Sequence, residues 1–319
     1  MPQDFQQSLI IEMKNNMIDE STVGFIGLGA MGAPMAMHLA EKLPSGTKIY
    51  AFDVVQSAVD QLVTQFPSRV FAGKNARDVA EKSVRFTLYL SICTTDINNK
   101  LLIDCSTIDT ATSLDVKAHI EKNFPSAFFY DAPVSGGVIG AKKGTIAFFL
   151  GCAEDDGNLP KISTLLRMMG KQIIPCGGPS LGLAAKLSNN YLSGVIAIAC
   201  SEAFDMGMRS GLDPRVLARV YAAGTAQNTI SDRFCPVPGI APEAPSTKGY
   251  KDGFKVQLMK KDFGLAVDMA KRVNTQLVLG DAGLATYQAA SQDPRCKDLD
   301  SRVVYRYLGG DEDWETRFK

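Results

Sequence analysis

Lys186 and Asn190 stand four residues apart, so a helix through them would present both on one face. Their neighbours Ala184, Ala185, Leu187 and Leu192 are apolar. Burial there would disfavour an ammonium and bring the lysine towards neutrality, as proton transfer requires. A lysine that runs its stem along an apolar surface and keeps its charge in water would give the same pattern. A second group is Asp131-Ala132-Pro133-Val134-Ser135-Gly136-Gly137. Its serine hydroxyl and the N–H groups of its glycines could receive a carboxylate, or the segment could be a plain turn. Lys260-Lys261-Asp262, in FKVQLMKKDFGLA, reads by itself as a solvated helix face. The two histidines, His38 and His119, fall inside helical patterns and read as packing or surface residues. The acid/base group is therefore expected elsewhere.

A glycine run follows an apolar strand: Val23-Gly24-Phe25-Ile26-Gly27-Leu28-Gly29-Ala30-Met31-Gly32. Gly27 permits a tight turn, Gly29 lets a pyrophosphate approach the backbone, and Gly32 lets the next helix pack on the strand. Phosphates would then meet the free N–H groups of that helix. Asp53 follows Gly32 by 21 residues, at the end of the next apolar run. Its carboxylate would accept from adenosine ribose hydroxyls and repel a 2′-phosphate, which selects NAD over NADP. The cofactor-binding set is accordingly Gly27, Leu28, Gly29, Ala30, Met31, Gly32 and Asp53.

The elements that must position these residues alternate. Strands are predicted at 22–26, 47–52, 84–90, 101–103, 127–130, 146–150 and 172–174. Helices are predicted at 32–42, 57–66, 111–123 and 159–169. This reads as an α/β, Rossmann-type, doubly wound parallel sheet. Beyond residue 180 the pattern is helical throughout: 181–210, closed by Gly211 and Pro214, then 214–223, 256–273, 280–290 and 301–307. A proline-rich loop runs from Cys235 to Pro245. The expected organisation is a tail (1–21), a dinucleotide-binding domain (22–181) and an all-helical domain (182–319).

Composition narrows the function. Of 319 residues, 45% are apolar and 21% charged, and the formal net charge is zero, which favours neither nucleic acid nor an anionic membrane as partner. The longest apolar stretch, 191–200, is too short to span a bilayer. Seven cysteines without a C-x-x-C, beside only two histidines, argue against a zinc site. No metal is expected, and the free thiols suggest a reducing compartment. Residues 1–21 hold four acidic residues and no arginine, which fits neither a signal peptide nor a typical transit peptide.

Taken in order, GFIGLGAMGAPMA, LLIDCSTID, DAPVSGGVIGAKKGTIAFFLGC, GLAAKLSNN and KKDFGLA resemble the β-hydroxyacid dehydrogenase family. The resemblance runs from about residue 22 almost to the C-terminus. It implies that Lys186 is the catalytic general acid/base. It implies that Ser135, Gly136 and Gly137 hold the substrate carboxylate, and that Asn190 orients the substrate. Thr107 and Lys261 would line the cofactor. The implied reaction is oxidation of a small 3-hydroxy acid by NAD. The loop CPVPGIAPEAPSTKGYKDGF favours 3-hydroxyisobutyrate, giving methylmalonate semialdehyde in valine catabolism, over the alternative of tartronate semialdehyde reduction. The resemblance also implies a homo-oligomer, dimer or tetramer, built on the helical domain. It points to mitochondria, with the cytoplasm as the alternative.

One departure stands out. Only ten residues separate Leu90 from Leu101. A parallel crossover with its own helix usually needs more, and the family has a proline-containing loop and a helix here. An inactive dinucleotide-binding homologue is the reading this shortening suggests.

Overall fold

Four residues buried on both faces, β1 (Val23–Ile26), form the centre of a six-stranded parallel sheet. The computed structural model describes residues 22–83, 85–87 and 95–318. The other strands are β2 (Ile49–Phe52), β3 (Val70–Ala72), β4 (Arg85–Thr87), β5 (Leu101–Asp104) and β6 (Phe128–Asp131). Their order is β3-β2-β1-β4-β5-β6, and every neighbouring pair is parallel. This is the doubly wound order whose crevice lies beyond the carboxyl ends of the strands. The helices between strands are α1 (Gly32–Lys42), α2 (Gln56–Gln65), α3 (Ala76–Lys82) and α4 (Thr110–Asn123).

Period-two alternation divides the core. Val23, Phe25, Leu101, Ile103 and Tyr130 face one layer, with Met35, Ala36 and Leu39 of α1. Ile26, Leu102 and Phe129 face the other, with Val79 of α3 and Val116 and Ile120 of α4. β3 and α3 have no counterpart among the predicted elements. A three-residue strand carries little periodicity, and α3 is recognisable mainly by its cap, the Asn75 side chain accepting from the Asp78 N–H at 2.8 Å.

The predicted strands at 146–150 and 172–174 belong instead to a second sheet. There β7 (Val134–Ser135) pairs antiparallel with β8 (Ile146–Leu150), which pairs parallel with β9 (Gly170–Pro175). α5 (Gly137–Lys143) and α6 (Leu159–Leu166) belong to this layer. Ile146, Phe148 and Leu150 share the core of the α1 face.

Residue 84 and residues 88–94 lie outside the described residues, so much of the predicted strand at 84–90 and of the shortened interval falls there. The described remainder, 95–100, holds no helix, yet β4 and β5 are adjacent and parallel. Ile97, fully buried among Ala76, Val79, Ala80, Leu102 and Ile120, fills the face that a crossover helix would cover.

The chain divides into two compact units, one through Leu183 and one from Ala184. The second is built on α7 (Leu181–Arg209), which starts in the first unit, and on α8 (Pro214–Ala223), α9 (Thr229–Arg233), α10 (Val256–Arg272), α11 (Gly280–Gln292) and α12 (Val304–Tyr307). Gly211 turns the chain at φ +95° after α7. Trp314, Tyr250, Tyr287 and Phe263 are among its buried aromatic residues.

Candidate active site

Gly27 sits at the carboxyl end of β1 with φ +95°, a conformation only glycine adopts cheaply. A Cβ on Gly32 would lie 1.9 Å from the Gly27 carbonyl oxygen, so the turn and the start of α1 interlock without side chains. At Gly29 an added Cβ would meet nothing within 4 Å, so its backbone is open to a ligand. α1 has no side-chain cap and no acid in its first turn, whereas α3 and α4 are capped by Asn75 and Asp109. An open, uncapped helix start is suited to phosphate. Asp53 follows β2 beside this turn. Its Oδ2 accepts from the Leu28 N–H at 2.5 Å and its Oδ1 from the Val55 N–H at 2.7 Å. Val54 and Val55 follow, exposed and apolar, with no basic residue before Arg69. Thr107 follows β5 on the same carboxyl edge and is half-buried. These residues fit a dinucleotide: a cradle without side chains for phosphates, and a carboxylate for the ribose.

Ser135 ends β7, Gly136 is exposed at φ +131°, and Gly137 opens α5 at φ +64°. The turn therefore presents backbone to the surface of the first unit, with the serine half-buried beside it. His38 closes the other end of α5, its Nε2 lying 3.1 Å from the carbonyl oxygens of Ala141 and Lys142. His119 is exposed on α4.

In the second unit the lysine is not a surface residue. Lys186 is 8% exposed and Asn190 6%. Both fall in the inward stripe of α7, with Leu187, Gly194, Ala197, Ser201 and Phe204 at helical spacing. α10 supplies the opposing face: Val256, Met259, Asp262, Phe263, Ala266 and Val267 are buried. Asn190 Nδ2 donates to Asp262 Oδ2 at 2.7 Å. The Lys261 ammonium, on a half-exposed side chain, lies 3.1 Å from Asp262 Oδ1. Phe263 packs on Tyr191 and Tyr287 with ring centres 5.0 and 5.6 Å apart, and the Tyr287 hydroxyl donates to the Gly194 carbonyl at 2.9 Å. Burial holds the Lys186 ammonium below its ordinary range; the Asp262 charge partly opposes this and the Lys261 charge reinforces it. A lysine so placed can exchange a proton with a substrate hydroxyl.

The structure thus brings Lys186, Asn190 and Lys261 together, and separately Gly27 to Gly32 with Asp53. It corrects the solvated reading of Lys260-Lys261-Asp262: the two lysines are exposed, but Asp262 is buried at their centre. Asp262, the buried partner of Asn190, is a candidate site residue that has no place among the sequence expectations. The signal was available, since it occupies a core position of the Val256, Met259, Phe263, Ala266 stripe, where an aspartate needs a partner.

Comparison with known proteins identifies the family. The profile of the NAD binding domain of 6-phosphogluconate dehydrogenase matches residues 22–178. The profile described as NAD-binding of NADP-dependent 3-hydroxyisobutyrate dehydrogenase matches residues 181–308. A probable mitochondrial 3-hydroxyisobutyrate dehydrogenase of Dictyostelium discoideum is 37% identical, over 90% of each chain. The chain belongs to the 3-hydroxyisobutyrate dehydrogenase family. The human mitochondrial enzyme of that name is 35% identical over 92% of this chain and 88% of its own. The Pseudomonas aeruginosa member is 34% identical over 91% and 99%. Among solved structures, the Mycobacterium tuberculosis member, determined with L-serine, superposes with a TM-score of 0.81 at 31% identity, covering 90% of this chain and 99% of that one. Membership makes the chain a nicotinamide-dinucleotide oxidoreductase with a Rossmann-like domain followed by a helical one. Among the described residues no helix is long and apolar enough to cross a membrane.

Proposed function

We propose that this member of the 3-hydroxyisobutyrate dehydrogenase family oxidises 3-hydroxyisobutyrate to methylmalonate semialdehyde with NAD, a step of valine catabolism, using Lys186 as general base. The observation that carries the proposal is the buried Lys186, depressed in pKa, beside the Asn190–Asp262 pair. The substrate is inferred from the names of the relatives.

Gly27 to Gly32 would hold the pyrophosphate, Asp53 the adenosine ribose, and Thr107 and Lys261 would line the cofactor. When bound, the dinucleotide supplies the hydride acceptor. Lys186 Nζ takes the proton of the 3-hydroxyl, either directly or through water. Ser135 Oγ and the N–H groups of Gly136 and Gly137 receive the carboxylate. Asn190 has one amide N–H committed to Asp262, which fixes the plane of its carboxamide and leaves the other N–H for the substrate hydroxyl. Proton transfer by a placed group contributes about 10²–10⁴-fold, so Lys186→Ala should lower kcat/KM within that range.

The test is NADH formation from 3-hydroxyisobutyrate and glycerate, the alcohol that tartronate semialdehyde reduction yields, by the purified chain, with Lys186→Ala alongside. Turnover of 3-hydroxyisobutyrate that collapses in the variant supports the reading. Preference for glycerate overturns the substrate. A folded chain that binds NADH without turning over either compound is an inactive homologue, as the short β4–β5 link would favour. We further infer a homo-oligomer, on the family resemblance and read by light scattering, and a mitochondrial location, read by fractionation, as the relatives' names suggest.

A further inference from the structure

The helix that carries Lys186 begins without a cap of its own. Helix starts normally use the side chain of the preceding residue, held in an extended conformation, to accept a first-turn N–H. Ser180, which precedes Leu181, sits at φ +64°, and its hydroxyl donates instead to the Thr110 carbonyl at 2.9 Å. The acceptor comes from β6. Asp131 Oδ1 accepts the Ser180 N–H at 2.7 Å, and Asp131 Oδ2 accepts the Leu183 N–H at 2.9 Å.

The fit leaves no slack. Asp131 is 2% exposed. A Cβ on Gly151 would fall 1.8 Å from Asp131 Oδ1, and a Cβ on Gly182 would fall 2.1 Å from the Phe149 carbonyl and 2.8 Å from Asp131 Oδ2. Burial raises the carboxyl group, and the Leu183 and Ser180 N–H groups lower it. The positive end of the helix favours the anion in addition. A buried carboxylate that uses both oxygens on helix-start amides, seated where two glycines leave it room, is more than a surface cap.

We propose that Asp131 is a positioning residue, a cap supplied from the sheet that fixes the register of the helix on which Lys186 rides. Lys186 lies three residues beyond Leu183, and its N–H reaches back one turn to the Gly182 carbonyl in a regular helix. Loss of the first turn removes that bond. A one-residue slip rotates the ammonium by about 100°, away from Asp262. The kinetic consequence rests on the role given to Lys186 above; the capping itself does not.

The first measurement is amide hydrogen exchange on the intact, unmutated protein. First-turn amides have no partner within their helix and exchange readily, whereas this cap makes Leu183 and Ser180 slow. Exchange of both at near free-peptide rates overturns the capping, whatever the enzyme's substrate. The second compares Asp131→Asn and Asp131→Ala with Ile97→Ala, a destabilising change in the other core layer. Asparagine turns an amino group towards one of the two N–H donors, so it too fails as a cap. Well below the melting temperature, the Asp131 variants should lose about 10- to 100-fold in kcat, as small misplacements do, with the NADH Kd within about twofold. Ile97→Ala should keep its kcat. Equal kcat in Asp131→Asn and the unmutated chain overturns the positioning role, as does an equal loss in Ile97→Ala. If neither Asp131 variant folds, Gly151→Ala carries the same comparison, and a Gly151→Ala chain that folds with full kcat overturns it. If the unmutated chain turns over no 3-hydroxy acid, the catalytic reading fails while the exchange result still decides the cap.

Discussion

The Asn190 carboxamide and the Asp262 carboxylate face each other across α7 and α10 at 2.7 Å, and both are buried. A buried carboxylate is stable only if neutralised or well bonded. Here it has an amide donor on one oxygen and the Lys261 ammonium near the other. Asp262 thereby does two things: it holds Asn190 by a hydrogen bond, and its charge partly opposes the effect of burial at Lys186.

Asp262→Asn should move the acidic limb of the kcat/KM profile for oxidation to lower pH. The carboxylate raises the Lys186 pKa against the larger effect of burial. Its removal lets the pKa fall further, so the neutral amine appears at lower pH. kcat should fall roughly tenfold, as expected for one charge-assisted hydrogen bond. Lys261→Gln should shift the limb the opposite way, since the Lys261 charge lowers Lys186. A limb that stays put in both variants removes Lys186 from the profile.

Lys186→Met should abolish oxidation and yet stabilise the fold by about 0.5–2 kcal/mol near neutral pH, the usual exchange at a functional site. The sign follows from linkage. The folded pKa lies below the ordinary 10.5, so between the two values the unfolded chain binds more protons. Stability of the unmutated protein therefore rises with pH across that window. The variant gains nothing there, and its advantage should shrink towards pH 10.5. Urea titrations at two pH values measure the difference.

Asp53→Ala should erode the preference for NAD over NADP by about tenfold, equivalent to about 1.4 kcal/mol. It also frees the Leu28 and Val55 N–H groups, which the carboxylate now holds. Steady-state kinetics with both dinucleotides checks this. An unchanged ratio would falsify the assignment of Asp53 to the ribose.

Ile97→Ala should cost about 2–4 kcal/mol. Ile97 is fully buried in the core layer that α3 and α4 share, and the described part of the β4–β5 link offers no helix to close the gap. Denaturant unfolding measured in parallel for Asn98→Ala, a neighbour in the same link, separates core filling from loop effects.

Much of this could be read from residue order. The glycine turn, α1 from Gly32 to Lys42 and α8 from Pro214 to Ala223 follow from periodicity and breakers, which act locally. The second sheet did not follow, because strands at 146–150 and 172–174 have the same apolar texture whichever sheet they join. Lys186 and Asn190 could be placed on one helix face, but not inside, since burial depends on a partner helix 72 residues on from Asn190. Asp131 was visible within its motif, yet its partners lie 49 and 52 residues away, beyond any local pattern.

The 29-residue helix α7 starts in one compact unit and ends in the other, with Leu183 and Ala184 consecutive within it. At about 1.5 Å per residue it is roughly 44 Å of unbroken backbone. A gene divided at that boundary would begin its second product inside a helix, with Lys186 in the frayed first turn and Asp131 on another polypeptide. Chimeras between relatives joined there would pair one parent's carboxylate and capped first turn with the other's lysine. A junction in the loop around Gly177 and Gly178 keeps Ser180 to Leu183 with the helix but still splits it from its cap. The segment from Phe128 to Asn190 therefore carries the lysine together with its helix start and the carboxylate that caps it.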